Sequence, residues 1–210
     1  AAEVADLAND LALTAADAVA ITVVAVNDAP VLGTTGPALA YTENAAATVI
    51  DPAVSVSDVD TASLASATVT ISSGFVSGQD TLAFTNQSGI TGSWNSGTGV
   101  LTLTGSATVA DYQTALRSIT YVNTSESPST TARTISFVAS DGTASSAAAT
   151  RNIDVSAVND APGLDNTKSP ALNVLSTDSA APSGAVGTLV SALVDFASPS
   201  GQVDNVTDPD

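Results

Sequence analysis

Ala25-Val26-Asn27-Asp28-Ala29-Pro30 recurs residue for residue as Ala157-Val158-Asn159-Asp160-Ala161-Pro162, 132 positions further on (25 to 157). A self-similar period of that length is too long for a solenoid unit and suits a whole β-sandwich, which runs to about 100 residues or more. The hexapeptide reads as a linker that divides the 210 residues into three parts. Residues 1–26 are expected to be the C-terminal end of a preceding sandwich, closing with a strand over Val19–Val26. Residues 27–158 form a complete domain. Residues 159–210 are the truncated start of a following one, with too few strand-like runs to bury a core, so 165–210 are expected to be poorly ordered or loosely attached.

Between the two linkers the sequence alternates. Ala67-Thr68-Val69-Thr70-Ile71 and Val100-Leu101-Thr102-Leu103-Thr104 alternate apolar with polar, Ile135, Phe137 and Ala139 interleave with Thr134 and Ser136, and Ile153, Val155 and Ala157 interleave with Asn152, Asp154 and Ser156. Period two is the signature of a half-buried strand. Asn95-Ser96-Gly97-Thr98-Gly99 separates two such runs and reads as a hairpin loop. Ala110–Ser118 departs from the pattern: Tyr112, Ala115 and Leu116 fall at helical spacing, which predicts a one- or two-turn helix covering an end of the sandwich, and Ile119–Val122 resumes as a strand. The fold class is therefore all-β, with one short helix.

The chain carries 21 acidic and 4 basic residues, a formal charge of −17. Of the acids 18 are Asp and 3 are Glu, which favours loops over helices. Such a surface has nothing with which to hold phosphate, so nucleic acid is excluded as a partner, and an anionic membrane would repel it. The longest apolar run, Ala18–Val26, is far too short to span a bilayer. There is no Cys and no His, so disulfides, the commonest zinc ligand and the commonest general base are all missing. Lys168 is the sole Lys, which leaves the abundant serines almost no activator, and no phosphate loop, dinucleotide fingerprint or EF-hand loop occurs. The expectation is a non-enzyme, with divalent cations as the natural partners of its carboxylates.

Candidate ligands sit at informative places. Asn27 and Asp28 lie in the first linker, Glu43 follows in Tyr41-Thr42-Glu43-Asn44, Asp58 and Asp60 form an Asp-x-Asp, and Asp141 stands in Ser140-Asp141-Gly142. The second linker supplies Asn159 and Asp160, followed by a second Asp-x-Asp at Asp208 and Asp210. In an extended segment residues i and i+2 point the same way, placing two carboxylates roughly 5–7 Å apart, close enough to bracket one ion. Without a cation each such pair costs roughly 3 kcal/mol before screening, at an effective dielectric near 20. A second reading stays open for each group. Asp28 and Asp160 also suit turns before Pro, Asp58 and Asp60 a solvated loop, and Asp141 a plain turn before Gly142. Asp6, Asp10, Asp17, Asp51, Asp80 and Asp111 are expected to be surface charges, and Trp94, Tyr112 and Tyr121 core rather than a sugar platform.

On these residues the chain resembles the bacterial cadherin-like repeats of large calcium-dependent surface adhesins. The Val-Asn-Asp-Ala-Pro segments at 26–30 and 158–162 look like the cadherin linker, Glu43 like the Glu at the start of a cadherin domain, and Asp58 with Asp60 like the family's Asp-x-Asp. Ala115–Gly142 is also similar to these repeats. The resemblance covers about residues 19–162. It implies a Greek-key cadherin/Ig-like β-sandwich repeat with Ca2+ at each junction: Asn27, Asp28, Asp58, Asp60 and Asp141 at the first, and Glu43, Asn159, Asp160, Asp208 and Asp210 at the second. The chain departs from the cadherin pattern where Ala25 and Ala157 replace the first linker Asp and where a second acidic motif is missing, which implies fewer ions per junction or weaker binding. The role implied is an extracellular, rod-forming repeat at a bacterial cell surface or secreted, in adhesion or biofilm formation. Its partners would be neighbouring repeats of the same chain and a cell-surface glycan or protein, with no nucleic acid and no membrane insertion. Two rival expectations are a polysaccharide-binding sandwich and a metal-free spacer in a surface layer or a large secreted enzyme.

Overall fold

The alternating runs become the centre of a β-sandwich. The structure, a computed structural model, describes residues 23–164 and the pair Val206–Thr207. Eleven strands and one helix build the sandwich: β1 (Val31–Gly33), β2 (Leu39–Thr42), β3 (Thr48–Val49), β4 (Ser55–Ser57), β5 (Ser63–Ser73), β6 (Asp80–Ala83), β7 (Thr91–Asn95), β8 (Val100–Thr108), α1 (Val109–Arg117), β9 (Thr120–Asn123), β10 (Arg133–Ser140) and β11 (Ala149–Ser156). One sheet has the order β2-β11-β10-β5-β8-β7, the other β3-β9-β6, and β1 pairs with β4 apart from both. All pairings are antiparallel except β2 with β11. Spatial neighbours such as β5 and β10 are far apart in sequence, because the chain crosses between sheets.

The alternation predicts the core correctly. Val69 and Ile71 of β5, Leu101 and Leu103 of β8, Ile135, Phe137 and Ala139 of β10, and Ile153 and Val155 of β11 are all buried and face Tyr121, Leu82 and Ile119 from the other side. Tyr41 meets Tyr121 edge to face at 4.9 Å across the sheets, a favourable ring geometry. Trp94, beside the predicted hairpin, is half-buried and edge-on to Phe75 at 6.2 Å. Ala157 lies past the end of β11 and is exposed.

Helix α1 links β8 of the larger sheet to β9 of the smaller and packs against β4, β5 and β8. Thr108 caps it: its hydroxyl accepts the amide of Asp111 at 3.1 Å and donates to the Asp111 carboxylate at 2.6 Å, satisfying an end that would otherwise be bare. Tyr112, Ala115 and Leu116 are buried, as their spacing requires. The strand expected over Val19–Val26 does not form in its described part, 23–26, where the backbone is unpaired and Val23, Val24 and Val26 are exposed. An apolar run becomes a strand only where a neighbour accepts its ladder, and none of the described strands lies beside it.

Two carboxylates expected at the surface are inside. Asp80 and Arg133 are both buried, with Arg133 Nε 3.2 Å from Asp80 Oδ2. Asp80 also accepts from the hydroxyl of Tyr121 (2.6 Å), Asn123 Nδ2 (2.7 Å) and the amide of Val76 (2.7 Å), while Arg133 donates to the carbonyls of Ser129 and Thr131. Burial, with the Asp80 carboxylate next to it, raises the Tyr121 pKa, so that phenol remains a donor. Asp51, fully buried, meets Arg151 at 2.8 Å and accepts from the amide and hydroxyl of Thr35 and the amide of Ala53. Burial works to raise its pKa, but these donors outweigh it and hold the carboxyl below the ordinary value.

Both clusters generate tests. Breaking the Asp80–Arg133 pair from one side, as in Asp80→Leu, should cost about 3–5 kcal/mol in urea unfolding, and adding Arg133→Met should recover part of that loss. Because the folded pKa of Asp51 is depressed, its contribution is complete above the usual carboxylate range and is lost as pH falls through it. Asp51→Asn should therefore flatten the acid limb of the stability profile, measured by denaturation between about pH 5 and 2.

Candidate cation sites at the two ends of the sandwich

Because β10 and β11 run antiparallel, the end of β10 at Ser140 and the end of β11 at Ser156 lie at opposite ends of the larger sheet. The predicted residues divide between these ends. At the first, three segments meet. Asn27 Nδ2 donates to Asp141 Oδ2 at 2.8 Å, and the amide of Asp28 donates to Asp60 Oδ2 at 2.9 Å. Contacts spanning 114 and 32 residues thus bring the linker, the Asp-x-Asp and the β10–β11 loop together.

The Asp-x-Asp segment is not extended, contrary to the expectation from spacing. It turns: Asp58 Oδ1 accepts the amides of Asp60 (3.2 Å) and Thr61 (3.1 Å). This is the local bonding by which Asp makes turns, and it wins because no strand pairs with 58–62. It uses one carboxylate oxygen and leaves the other, Asp58 Oδ2, buried with no hydrogen-bond partner. Asp141 behaves alike: Oδ1 accepts the amides of Thr143 (2.6 Å) and Ala144 (2.7 Å), in a turn that Gly142 permits at φ 100°. The amide of Asp28 holds Asp60 below the ordinary carboxylate pKa, and the amide of Ala144 with the side chain of Asn27 does so for Asp141. Both are ionised at neutral pH.

At the opposite end Glu43 follows β2. Its amide donates to Ser156 O at 3.0 Å, and its Oε1 accepts the amide of Val158 at 2.6 Å, which fixes it to the second linker. Glu43 is only 4% exposed, and its Oε2 accepts no hydrogen bond. The linkers share their local geometry: Asn27 Nδ2 donates to Asp28 O (3.0 Å) and Asn159 Nδ2 to Asp160 O (2.6 Å). Sequence reasoning missed Glu126, whose carboxylate accepts from Asn44 Nδ2 at 3.0 Å beside Glu43. The available signal was that Glu is rare here, and two of the chain's 3 lie at this end.

Asp208 and Asp210 lie outside the described residues, as do Asp6, Asp10 and Asp17 and, apart from Val206–Thr207, the stretch 165–210 expected to be loosely ordered. The two residues that precede Asp208 are described. β12 (Gly163–Leu164) pairs antiparallel with β13 (Val206–Thr207), in the register Gly163 with Thr207 and Leu164 with Val206. This repeats β1 with β4, where Val31 meets Ser57 and Leu32 meets Val56. Val206 and Thr207 thereby take the register positions of Val56 and Ser57, and in the sequence each pair is followed by an Asp-x-Asp.

The donors are all oxygen, the kind a hard cation such as calcium takes. As the side chains lie, however, no three carboxylates among the described residues form a ready metal cage. The fit is in kind and in the buried, unpartnered oxygens of Asp58 and Glu43. Trp94 is half-buried and Tyr112 and Tyr121 fully buried, which leaves none of these three as an open platform. No helix of the described residues is long and apolar enough to cross a membrane.

No protein-family model and no solved structure matches the chain. A stretch of 101 residues is 38% identical to Halomucin of Haloquadratum walsbyi. That match takes in 46% of this chain but spans only 1% of the length of the relative.

Proposed function

We propose that this chain is a non-enzymatic, rod-forming extracellular repeat of a bacterial cadherin-like surface adhesin, in which calcium at each end of the sandwich fixes it to its neighbours. The observation that carries this reading is the pair of buried carboxylate oxygens without donors, Asp58 Oδ2 at one end and Glu43 Oε2 at the other. A buried polar oxygen with no partner is expensive, and a cation removes that cost. Asn27, Asp28, Asp58, Asp60 and Asp141 would hold the ion at the first junction. Glu43, Asn159 and Asp160 would meet Asp208 and Asp210 of the following unit at the second. The ion would supply charge neutralisation and a fixed angle between units that otherwise move freely. A match of 101 residues that spans 1% of the relative's length is of the size of one domain within a much longer protein. The rod would present a distal region to a cell-surface glycan or protein, in adhesion or biofilm formation, without nucleic acid and without inserting into a membrane.

One observation favours a metal-free spacer instead. Asp60 and Asp141 spend oxygens on backbone amides and on Asn27, so this end is partly self-neutralised as it stands. Calorimetric titration separates the two readings. Calcium at about 100 times its dissociation constant should add about 2.7 kcal/mol, raising the melting midpoint by roughly 5–10 °C over the value in EDTA. Asp58→Asn with Asp60→Asn should abolish the part due to the first junction. An unchanged midpoint, with no heat of binding, establishes the spacer. Since Asp60 and Asp141 titrate below the ordinary carboxylate range, proton competition at the first junction should begin only as pH falls into or below that range.

A further inference from the structure

Arg151 spends only one edge of its guanidinium. Its Nη1 meets Asp51 Oδ1 at 2.8 Å and donates to the hydroxyl of Thr35, also at 2.8 Å. Its Nε is buried with no hydrogen-bond partner, and its Nη2 donates to none of the described residues. Arg133 differs, since its Nε, Nη1 and Nη2 all donate within the sandwich. In a planar guanidinium Nε–H and the neighbouring Nη2–H point the same way, forming the fork that takes both oxygens of a carboxylate. A buried donor left unpaired costs free energy, so an acceptor placed at this edge is stabilised.

Arg151 lines a groove of about 230 Å³ with Thr34, Thr35, Pro37, Thr150 and Asn152. The groove forms because β2 is short. Its pairing with β11 begins at Leu39 and Ile153, so the edge of β11 at residues 150–152 is flanked by the β1–β2 connection instead of a strand. Thr34 ties that connection down by donating its hydroxyl to the carbonyl of Thr150 at 2.6 Å. Thr150 and Asn152 are exposed. Asn152 Oδ1 accepts from the hydroxyl of Thr134 at 3.1 Å, which leaves its Nδ2 and the hydroxyl of Thr150 free of hydrogen bonds to the described residues. No acid lines the groove, so it is separate from the candidate cation sites. Its volume falls below the roughly 300 Å³ at which pockets for drug-sized ligands begin, and suits a single sugar ring.

We infer that this groove is a subsite for the carboxylate of an acidic saccharide, with Nε and Nη2 of Arg151 donating to its two oxygens and with Thr150 and Asn152 meeting the ring hydroxyls. The guanidinium supplies recognition of the carboxylate, and the hydroxyl and amide groups around it select a sugar. Asp51 stays in place, because it holds the other edge of the same guanidinium. The formal charge of −17 opposes any anion at long range, but physiological salt screens charges beyond about 8 Å and leaves the outcome to the local groups. The inference uses none of the residues of the proposed junctions.

The Nε–H of an arginine side chain is read directly by nitrogen–proton NMR. The Arg151 signal is assigned through its own side-chain couplings in the unaltered full chain, and glucuronate is titrated in at constant ionic strength with EDTA present. The Arg151 signal should move saturably in the millimolar range expected of so small a ligand, while those of Arg117 and Arg133 stay in place. Thr150→Val and Asn152→Ala, both at exposed positions, should each weaken binding about fivefold. Glucose, which lacks the carboxylate, should leave the Arg151 signal unmoved, and acetate, which lacks the ring, should bind at least about tenfold more weakly than glucuronate. An Arg151 signal that has not moved at about 100 mM glucuronate overturns the subsite. Acetate equal to glucuronate overturns the saccharide, and glucose equal to glucuronate overturns the role of the fork. Because EDTA removes calcium throughout, these outcomes do not depend on the junctions.

Discussion

Mutual repulsion of carboxylates is the constraint to which the rest of this structure answers. The chain has 21 acids and 4 basic residues, and an unscreened carboxylate pair 5 Å apart costs roughly 3 kcal/mol at an effective dielectric near 20. The described arginines do nothing to relieve the ends. Arg133 and Arg151 are committed to Asp80 and Asp51 inside the sandwich, and Arg117 Nε donates to the carbonyl of Val54. The carboxylates at the ends are left with backbone amides, the side-chain amides of Asn27 and Asn44, the hydroxyl of Thr61, and whatever solution provides.

The turns at the first end decide which oxygens are satisfied. An Asp that bonds the amides two and three residues ahead uses one oxygen and orients the other away from its own loop. Asp58 and Asp141 both do this. The remaining oxygen of Asp141 finds Asn27, whereas that of Asp58 finds no donor. Local turn chemistry and cation binding therefore act on different atoms of the same side chains. The turn preorganises the carboxylate, so an ion would not have to order the loop itself. This is also why the structural reading of the Asp-x-Asp and the functional one are compatible rather than exclusive.

Much of this was legible in the sequence, where a periodicity or a repeat made neighbours of distant residues. Alternation located β5, β8, β10 and β11 and their buried sides, and helical spacing located Tyr112, Ala115 and Leu116. The repeated hexapeptide put the acids of 27–28 and 159–160 at opposite ends. What failed was judging acids singly. Asp51 and Asp80 read as surface charges because nothing near them in sequence is basic. The signal lay in their partners: Arg133 is in phase with Ile135 and Phe137, and Arg151 with Ile153 and Val155, so both arginines start from core-facing positions. A cation on the inward phase of a strand demands a buried acid. The bend at Asp58 was missed for a related reason. Spacing alone cannot say whether an Asp uses its oxygens on a distant ion or on its own backbone.

The two ends are not equivalent, and the difference has a direction. The first gathers its carboxylates from within one unit, tied across 114 and 32 residues by Asn27 and Asp28. The second holds Glu43 against its linker with one oxygen buried and unused, beside Asn44 and Glu126. Among the described residues the second end has no Asp-x-Asp, and β13, which pairs with β12, ends at Thr207, the residue before Asp208. The described sandwich thus has a well-furnished end and a sparse one, and in the proposed array the sparse end of one unit would meet the furnished end of the next and bring both sets of carboxylates into one junction. Repulsion alone would hold such ends apart. The proposed cation would turn that repulsion into an attachment, because one ion takes oxygens from both sides.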